Sequence, residues 1–190
     1  NSGQKLFGIP IIASNMDSIG TYDVYKILSR HKMLTAFHKF YTLEDYLEMD
    51  LDKEYFMIST GISDADYDKL EQILNSIDVK FICIDVANGY MQKLVDFSKK
   101  IRENYPDKVL VAGNVVSREM CEELVINGGV DIVKCGLGNG SACLTRLKTG
   151  VGMPQLSTVM ECSDAVHGLS AHMIGDGGIT CAGDACKAFG

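Results

Sequence analysis

Short apolar runs rich in β-branched residues recur through the chain at residues 9–13, 33–37, 55–59, 80–86, 108–112, 131–135 and 172–175. The first six start 22 to 28 residues apart. Most lack polar alternation, the pattern of parallel strands buried on both faces. Between them lie stretches with helical spacing: Tyr67, Leu70, Ile73 and Leu74; Met120, Cys121, Leu124 and Val125; Leu156, Val159 and Met160. Ser63, with Asp66 three residues on, and Ser117 stand where helix N-caps belong. Gly128-Gly129 and Gly168 supply stops. A strand alternating with a helix at this period is a parallel α/β fold.

Two features favour a closed barrel over a doubly wound sheet. The repeat suits a (β/α)8 unit, which totals about 250 residues when closed. Polar or glycine signals also follow nearly every strand, among them His38-Lys39, Asp85, Gly113-Asn114, residues 136–141 and Asp176-Gly177-Gly178. A doubly wound sheet would gather its chemistry at one switch point. The expectation is a parallel (β/α)8 TIM barrel truncated to about seven strands, with residues 1–190 as a single incomplete catalytic domain. The chain begins at Asn1 and stops at Gly190 just after a helix-like stretch, so it reads as a piece of a longer chain.

The 190 residues are 46% hydrophobic, enough for a sizeable core. No run approaches ~18 apolar residues, which argues against a membrane span. The formal charge is −7 and the Lys and Arg residues are scattered, which argues against a nucleic-acid partner. Seven cysteines, an odd number with no C-x-x-C, fit reduced thiols in a cytoplasmic protein better than a disulfide framework or a zinc site. Neither an H-E-x-x-H nor a G-x-G-x-x-G is present.

The interval from Asp131 to His172 is much longer than the others. Its first half reads KCGLGNGSACLTRLKTGVGMPQL. Its five glycines let the backbone approach a ligand or ion closely. Cys143, with Thr145 and Arg146, sits in this polar loop, where a nearby cation and backbone donors favour a nucleophilic thiolate. A space-filling cysteine competes with that reading on about even terms. GDGGIT at 175–180 follows the last strand, where barrels bind phosphate with backbone amides, and Asp176 can accept from a pair of ribose hydroxyls. A purely structural glycine turn explains it about as well. Asp85 reads as a contact in the barrel mouth or as a helix cap, and Lys39 as an anion contact or a solvated lysine.

The segments IPIIASNMDSIGT, LTAFHKFY, FICIDVANGY, AGNVVSREMCEEL, DIVKCGLGNGSACLTRLKTGVGMPQLSTVMEC and HGLSAHMIGDGG together resemble the IMP dehydrogenase/GMP reductase family. Only a short connection follows HKFY, with no room for the pair of CBS modules that the dehydrogenases insert. KTGVGMPQLSTVMEC also resembles the reductase branch. The resemblance implies NADPH-dependent reductive deamination of GMP to IMP through a covalent purine intermediate on Cys143. Thr145 matches the residue that handles protons with a distant Glu, expected beyond Gly190 with the eighth strand. Asp176, Gly177 and Gly178 match the substrate ribose and phosphate turn. Lys39, Asp85, Leu137 and Gly138 match cofactor contacts. Gly138, Gly140, Cys143 and Arg146 match positions around a monovalent cation (K+). A homotetramer is implied as well, and the isolated segment is expected to be inactive.

The alternatives are oxidation of IMP with NAD on the same scaffold, and a catalytically inactive purine-nucleotide-binding barrel. Departures from the family pattern motivate the latter. Asn139 stands where proline is usual, which is expected to loosen the loop. Leu144 replaces a threonine, Cys135 a valine and Ala182 a proline.

Overall fold

The computed structural model describes residues 2–190. Its packing divides into two compact units, one of residues 2–85 and 105–110, the other of residues 86–104 and 111–190.

The N-terminal unit contains β1 (Ile12–Ala13), α1 (Tyr22–Leu28), a 3-10 turn (Ser29–His31), β2 (Leu34–Ala36), α2 (Leu43–Leu47), β3 (Phe56–Thr60), α3 (Asp64–Ser76) and β4 (Phe81–Asp85). Its strands pair in parallel and in chain order, with Ile12 opposite Leu34, Thr35 opposite Phe56 and Met57 opposite Phe81. β2 to β4 are buried almost throughout, which is why their sequence shows no alternation. Around Phe37 gather Tyr25, Tyr41, Tyr46 and Phe56, with ring centroids 5.6 to 5.8 Å away. The first β1 residues of the apolar run at 9–13 lie outside any strand, so β1 is shorter than expected. Ser63 caps α3 as expected: its hydroxyl accepts from Asp66 N–H while the Asp66 carboxylate accepts from Ser63 N–H, closing a capping box.

The C-terminal unit carries α4 (Gln92–Asn104), the greater part of β5 (Val109–Val115), α5 (Arg118–Ile126), β6 (Ile132–Cys135), α6 (Thr145–Thr149), α7 (Gln155–Gly168), β7 (His172–Gly175) and α8 (Ala182–Phe189). β5, β6 and β7 again pair in parallel, with Val111 opposite Ile132 and Cys135 opposite Gly175. This places residues 114–116, 136–138 and 176–178 together at the C-terminal ends of the strands, the end at which barrels carry their chemistry. Seven strands with intervening helices are the (β/α)8-barrel class that the periodicity predicts.

Several local expectations are corrected. β5 runs to Val115, so Gly113-Asn114 belongs to the strand and not to the loop after it. The register shifts between Gly113 and Val115, which turns Asn114 out of the regular ladder. Ser117 is the N-cap of α5 by position, but its hydroxyl makes no capping bond. α7 does end at Gly168, the expected stop, and the left-handed residue lies two positions on, at Ser170 (φ 57°). The apolar stripe of α7 is also out of phase. Leu156 and Met160 are exposed, whereas Thr158, Val159, Cys162, Ala165 and Val166 face the core.

Candidate active site

The site is built on the C-terminal ends of β5, β6 and β7. Asn114, at the end of β5, donates from Nδ2 to the Gly136 carbonyl at 2.9 Å and to Asp176 Oδ2 at 2.7 Å. Lys134, buried on β6, brings its ammonium to the same Asp176 oxygen at 2.9 Å. Two donors from two strands therefore fix the carboxylate, and a paired charge is the form in which a lysine tolerates such burial. Both of these donors reach Oδ2, not Oδ1. The Asp176 N–H donates to the Cys135 carbonyl at 2.8 Å, anchoring the turn to β6.

From β6 the chain enters the glycine loop. A Cβ on Gly136 would collide with the Asp176 carbonyl, so only glycine lets the two turns approach. Gly138 (φ 70°) lies beneath the Arg146 side chain, where a Cβ would sit 2.8 Å from Arg146 Cγ. Asn139 then donates its side-chain amide twice, to the Asp176 carbonyl and to Gln155 Oε1, each at 2.7 Å. Gln155 Nε2 donates in turn to the Cys135 carbonyl at 3.0 Å. Asn139 thus ties its loop down through side-chain bonds, which corrects the expectation that it loosens the turn.

The loop closes with the Cys143 N–H donating to the Gly140 carbonyl at 3.0 Å. Cys143 is half-buried, and its Sγ lies 3.2 Å from Thr145 Oγ1. The thiol donates to the hydroxyl when protonated, and the hydroxyl can donate to the thiolate. That side-chain bond, followed by backbone donors at Thr145 and Gly138 and by the Arg146 charge, holds the Cys143 thiol below its ordinary range. This is the electrostatic setting of a nucleophile. The exposed Cys181 and Cys186 lie at and within α8, outside this loop.

The two segments singled out in the sequence meet. A Cβ on Gly177 would lie 3.5 Å from Gly140 Cα, and one on Gly178 would lie 3.3 Å from the Asn139 carbonyl oxygen. Gly177 and Gly178 both have positive φ, near 75° and 72°. Leu137 is buried and its carbonyl accepts from Met153 N–H at 3.0 Å. Lys39 and Asp85 belong to the N-terminal unit: Lys39 is exposed just after β2, and Asp85 is the half-buried last residue of β4.

Asn114, Lys134 and Gln155 were not anticipated as site residues. Lys134 had a signal, a cation inside the continuous apolar run 131–135. Gln155 had none, because a polar residue opening a helix is unremarked in any sequence.

A loop thiol held below its ordinary range, in a glycine loop packed against the turn at 176–178, stands at the C-terminal ends of parallel strands on a β/α-barrel fold. The family model for the IMP dehydrogenase / GMP reductase domain matches residues 4–190, and the chain belongs to that family. The GMP reductase of Vibrio parahaemolyticus is 50% identical over 196 aligned residues, covering 100% of this chain and 56% of the relative. GMP reductase 2 of Bos taurus is 51% identical over 195, with the same coverage. The chain therefore spans little more than half the length of these curated relatives. Among solved structures, inosine 5′-monophosphate dehydrogenase from Legionella pneumophila superposes with a TM-score of 0.84 at 29% identity, covering 95% of this chain and 54% of that one.

Proposed function

We propose that residues 1–190 form one incomplete barrel domain of an NADPH-dependent GMP reductase, converting GMP to IMP and ammonia with Cys143 as nucleophile. The observation that carries this reading is the Cys143 thiol, 3.2 Å from the Thr145 hydroxyl, in a loop that packs against the Asp176–Gly178 turn. The curated relatives at about 50% identity are GMP reductases, which favours the reductase over the dehydrogenase reading.

In this mechanism the turn at 176–178 seats the nucleotide. Asp176 Oδ1 accepts from the ribose hydroxyls while Lys134 and Asn114 hold Oδ2, so the acceptor is oriented before the substrate arrives. The Cys143 thiolate adds to purine C2, forming a C–S bond. The C2–amine bond then breaks, and the departing amine takes a proton that the Thr145 hydroxyl relays. Covalent attachment divides one difficult displacement into two easier steps. When bound, NADPH supplies a hydride to C2 and Cys143 leaves with the C–S electron pair, for the balance GMP + NADPH + 2H+ → IMP + NADP+ + NH4+.

By the resemblance, Lys39 and Asp85 in the N-terminal unit, and independently the backbone at Leu137 and Gly138 in the C-terminal unit, would contact that cofactor. An exposed ammonium and a half-buried carboxylate at strand ends fit its phosphates and carboxamide in kind. Carbonyls of Gly138, Gly140, Cys143 and Arg146 would surround a K+ ion. Such neutral oxygen donors suit a monovalent cation, and the Gly140 carbonyl keeps one lone pair after accepting from Cys143 N–H. The homotetramer implied by the resemblance is part of the same proposal.

Covalent trapping tests the nucleophile. Radiolabelled GMP, mixed with the intact protein that carries this chain and precipitated under denaturing conditions, is expected to leave label on the Cys143 peptide. Label that persists in Cys143→Ala would overturn the assignment.

A further inference from the structure

Three cysteines whose side chains take no part in the site converge within the C-terminal unit. Cys121 comes from α5, Cys135 from the end of β6 and Cys162 from α7. Their three sulfurs lie within 4.8 Å of one another, and each residue has 0% exposure. Among the described residues no histidine or carboxylate joins the group. The spacings in the sequence, 121, 135 and 162, match no metal motif, so only the packing of α5 and α7 over β6 reveals the cluster.

We propose that Cys121, Cys135 and Cys162 form a three-sulfur binding site for a trivalent thiophilic element of the arsenic(III) class. Geometry admits it. Three sulfurs on a pyramidal centre with bonds of about 2.3 Å stand ~3.5 Å apart, so from within 4.8 Å the side chains need to close by at most ~1.3 Å. Charge selects among the candidates. Three thiolates around a trivalent centre leave no net charge in a dry, apolar interior, where an unbalanced charge is costly. A zinc ion on the same three thiolates leaves one negative charge and a fourth position with no protein donor, against its preference for closed tetrahedral sites. A copper(I) ion leaves still more negative charge.

The thiols themselves behave as one unit. Cys162 is lowered by its interaction with Cys121 and Cys135, while Cys135, whose thiol also reaches the Val133 carbonyl at 3.7 Å, is raised by both neighbours and by burial. The three thiols therefore titrate as one coupled group. Uptake is a ligand exchange without redox change: As(OH)3 + 3 Cys–SH → As(S–Cys)3 + 3 H2O. Three As–S bonds replace three As–O bonds, and each thiol proton departs on a hydroxide as water. Because the sulfurs have no exposed surface, entry requires local opening of α5 or α7 and is slow.

The test uses the intact, reduced protein that carries this chain, incubated with arsenite in sub-denaturing urea so that opening occurs, then freed of excess reagent. Native mass spectrometry is expected to show one adduct per chain, with a gain of one arsenic less three hydrogens. Arsenic X-ray absorption is expected to show three sulfurs and no oxygen. Cys135→Val and Cys121→Val, which keep the pocket apolar and of similar size, are expected to weaken retention about 100-fold or more by removing one intramolecular ligand. Cys181→Ser/Cys186→Ser is expected to leave it unchanged. No retained arsenic in the native protein, oxygen remaining in its shell, or equal retention in Cys135→Val would each overturn the proposal. Should Cys121→Val fail to fold, the absorption spectrum of the native protein and Cys135→Val still decide.

Discussion

Replacing Asn139 by alanine removes one amide group and two hydrogen bonds, to Gln155 Oε1 and to the Asp176 carbonyl. Both acceptors are part-buried, and a typical intramolecular hydrogen bond contributes about 0.5–1.5 kcal/mol net. The pair should therefore stabilise the ordered loop by about 1–3 kcal/mol, which corresponds to a 5- to 150-fold change in an equilibrium. The assay is GMP-dependent NADPH oxidation by the intact protein, paired with a thermal melt that separates loop from global loss. Asn139→Ala is expected to lose activity within that range while its melting temperature falls by only a few degrees. Asn139→Pro is the informative partner. The Asn139 N–H makes no hydrogen bond among the described residues, so a proline deletes no backbone bond and restores stiffness by restricting φ. It should retain most of the activity. Full activity in Asn139→Ala, or a greater loss in Asn139→Pro than in the alanine variant, would refute the view that side-chain bonds replace ring rigidity here.

Further outcomes follow from the same geometry. Alkylation of Cys143 by iodoacetamide should titrate below the ordinary thiol range, and Thr145→Val should move the inflection to higher pH; an unmoved inflection would remove Thr145 as its main cause. Lys134→Met leaves the Asp176 carboxylate with Asn114 alone and should cost about 3 kcal/mol in denaturant unfolding, the low end for a broken buried pair. Ser63→Ala should cost about 1 kcal/mol by opening the α3 capping box. The Asp66 carboxylate is pushed up by burial but held lower overall by the Ser63 hydroxyl and N–H. With the folded value below the unfolded one, its contribution is present above the unfolded pKa and is lost as pH falls through the folded value. The cost of Ser63→Ala should therefore shrink in acid, as urea melts at descending pH would show.

How much of this was legible in the sequence depends on the distance over which each feature is encoded. The strands were readable because a strand buried on both faces is apolar at every position, as Val109 to Ala112 illustrate. Cys143 and Thr145 were readable as a pair because a single residue, Leu144, separates them. The α7 stripe failed because Thr158 and Cys162, one turn apart on the buried face, do not register as core residues, whereas the exposed Leu156 and Met160 do. Asn139 was misread because its partners lie 16 and 37 residues away. Asn114 reaches Asp176 across 62 residues, and no local pattern announces such a contact. The three buried cysteines are hidden for the same reason: their proximity belongs to the packing of two helices over one strand.

The central claim is that Cys143 attacks GMP. The most direct measurement is nicotinamide absorbance when the intact protein is mixed with GMP and NADPH, and separately with IMP and NAD+. Loss of NADPH with GMP, abolished in Cys143→Ala, is the predicted result. Undiminished turnover in Cys143→Ala, or NADH formation from IMP that outpaces the GMP reaction, would contradict it.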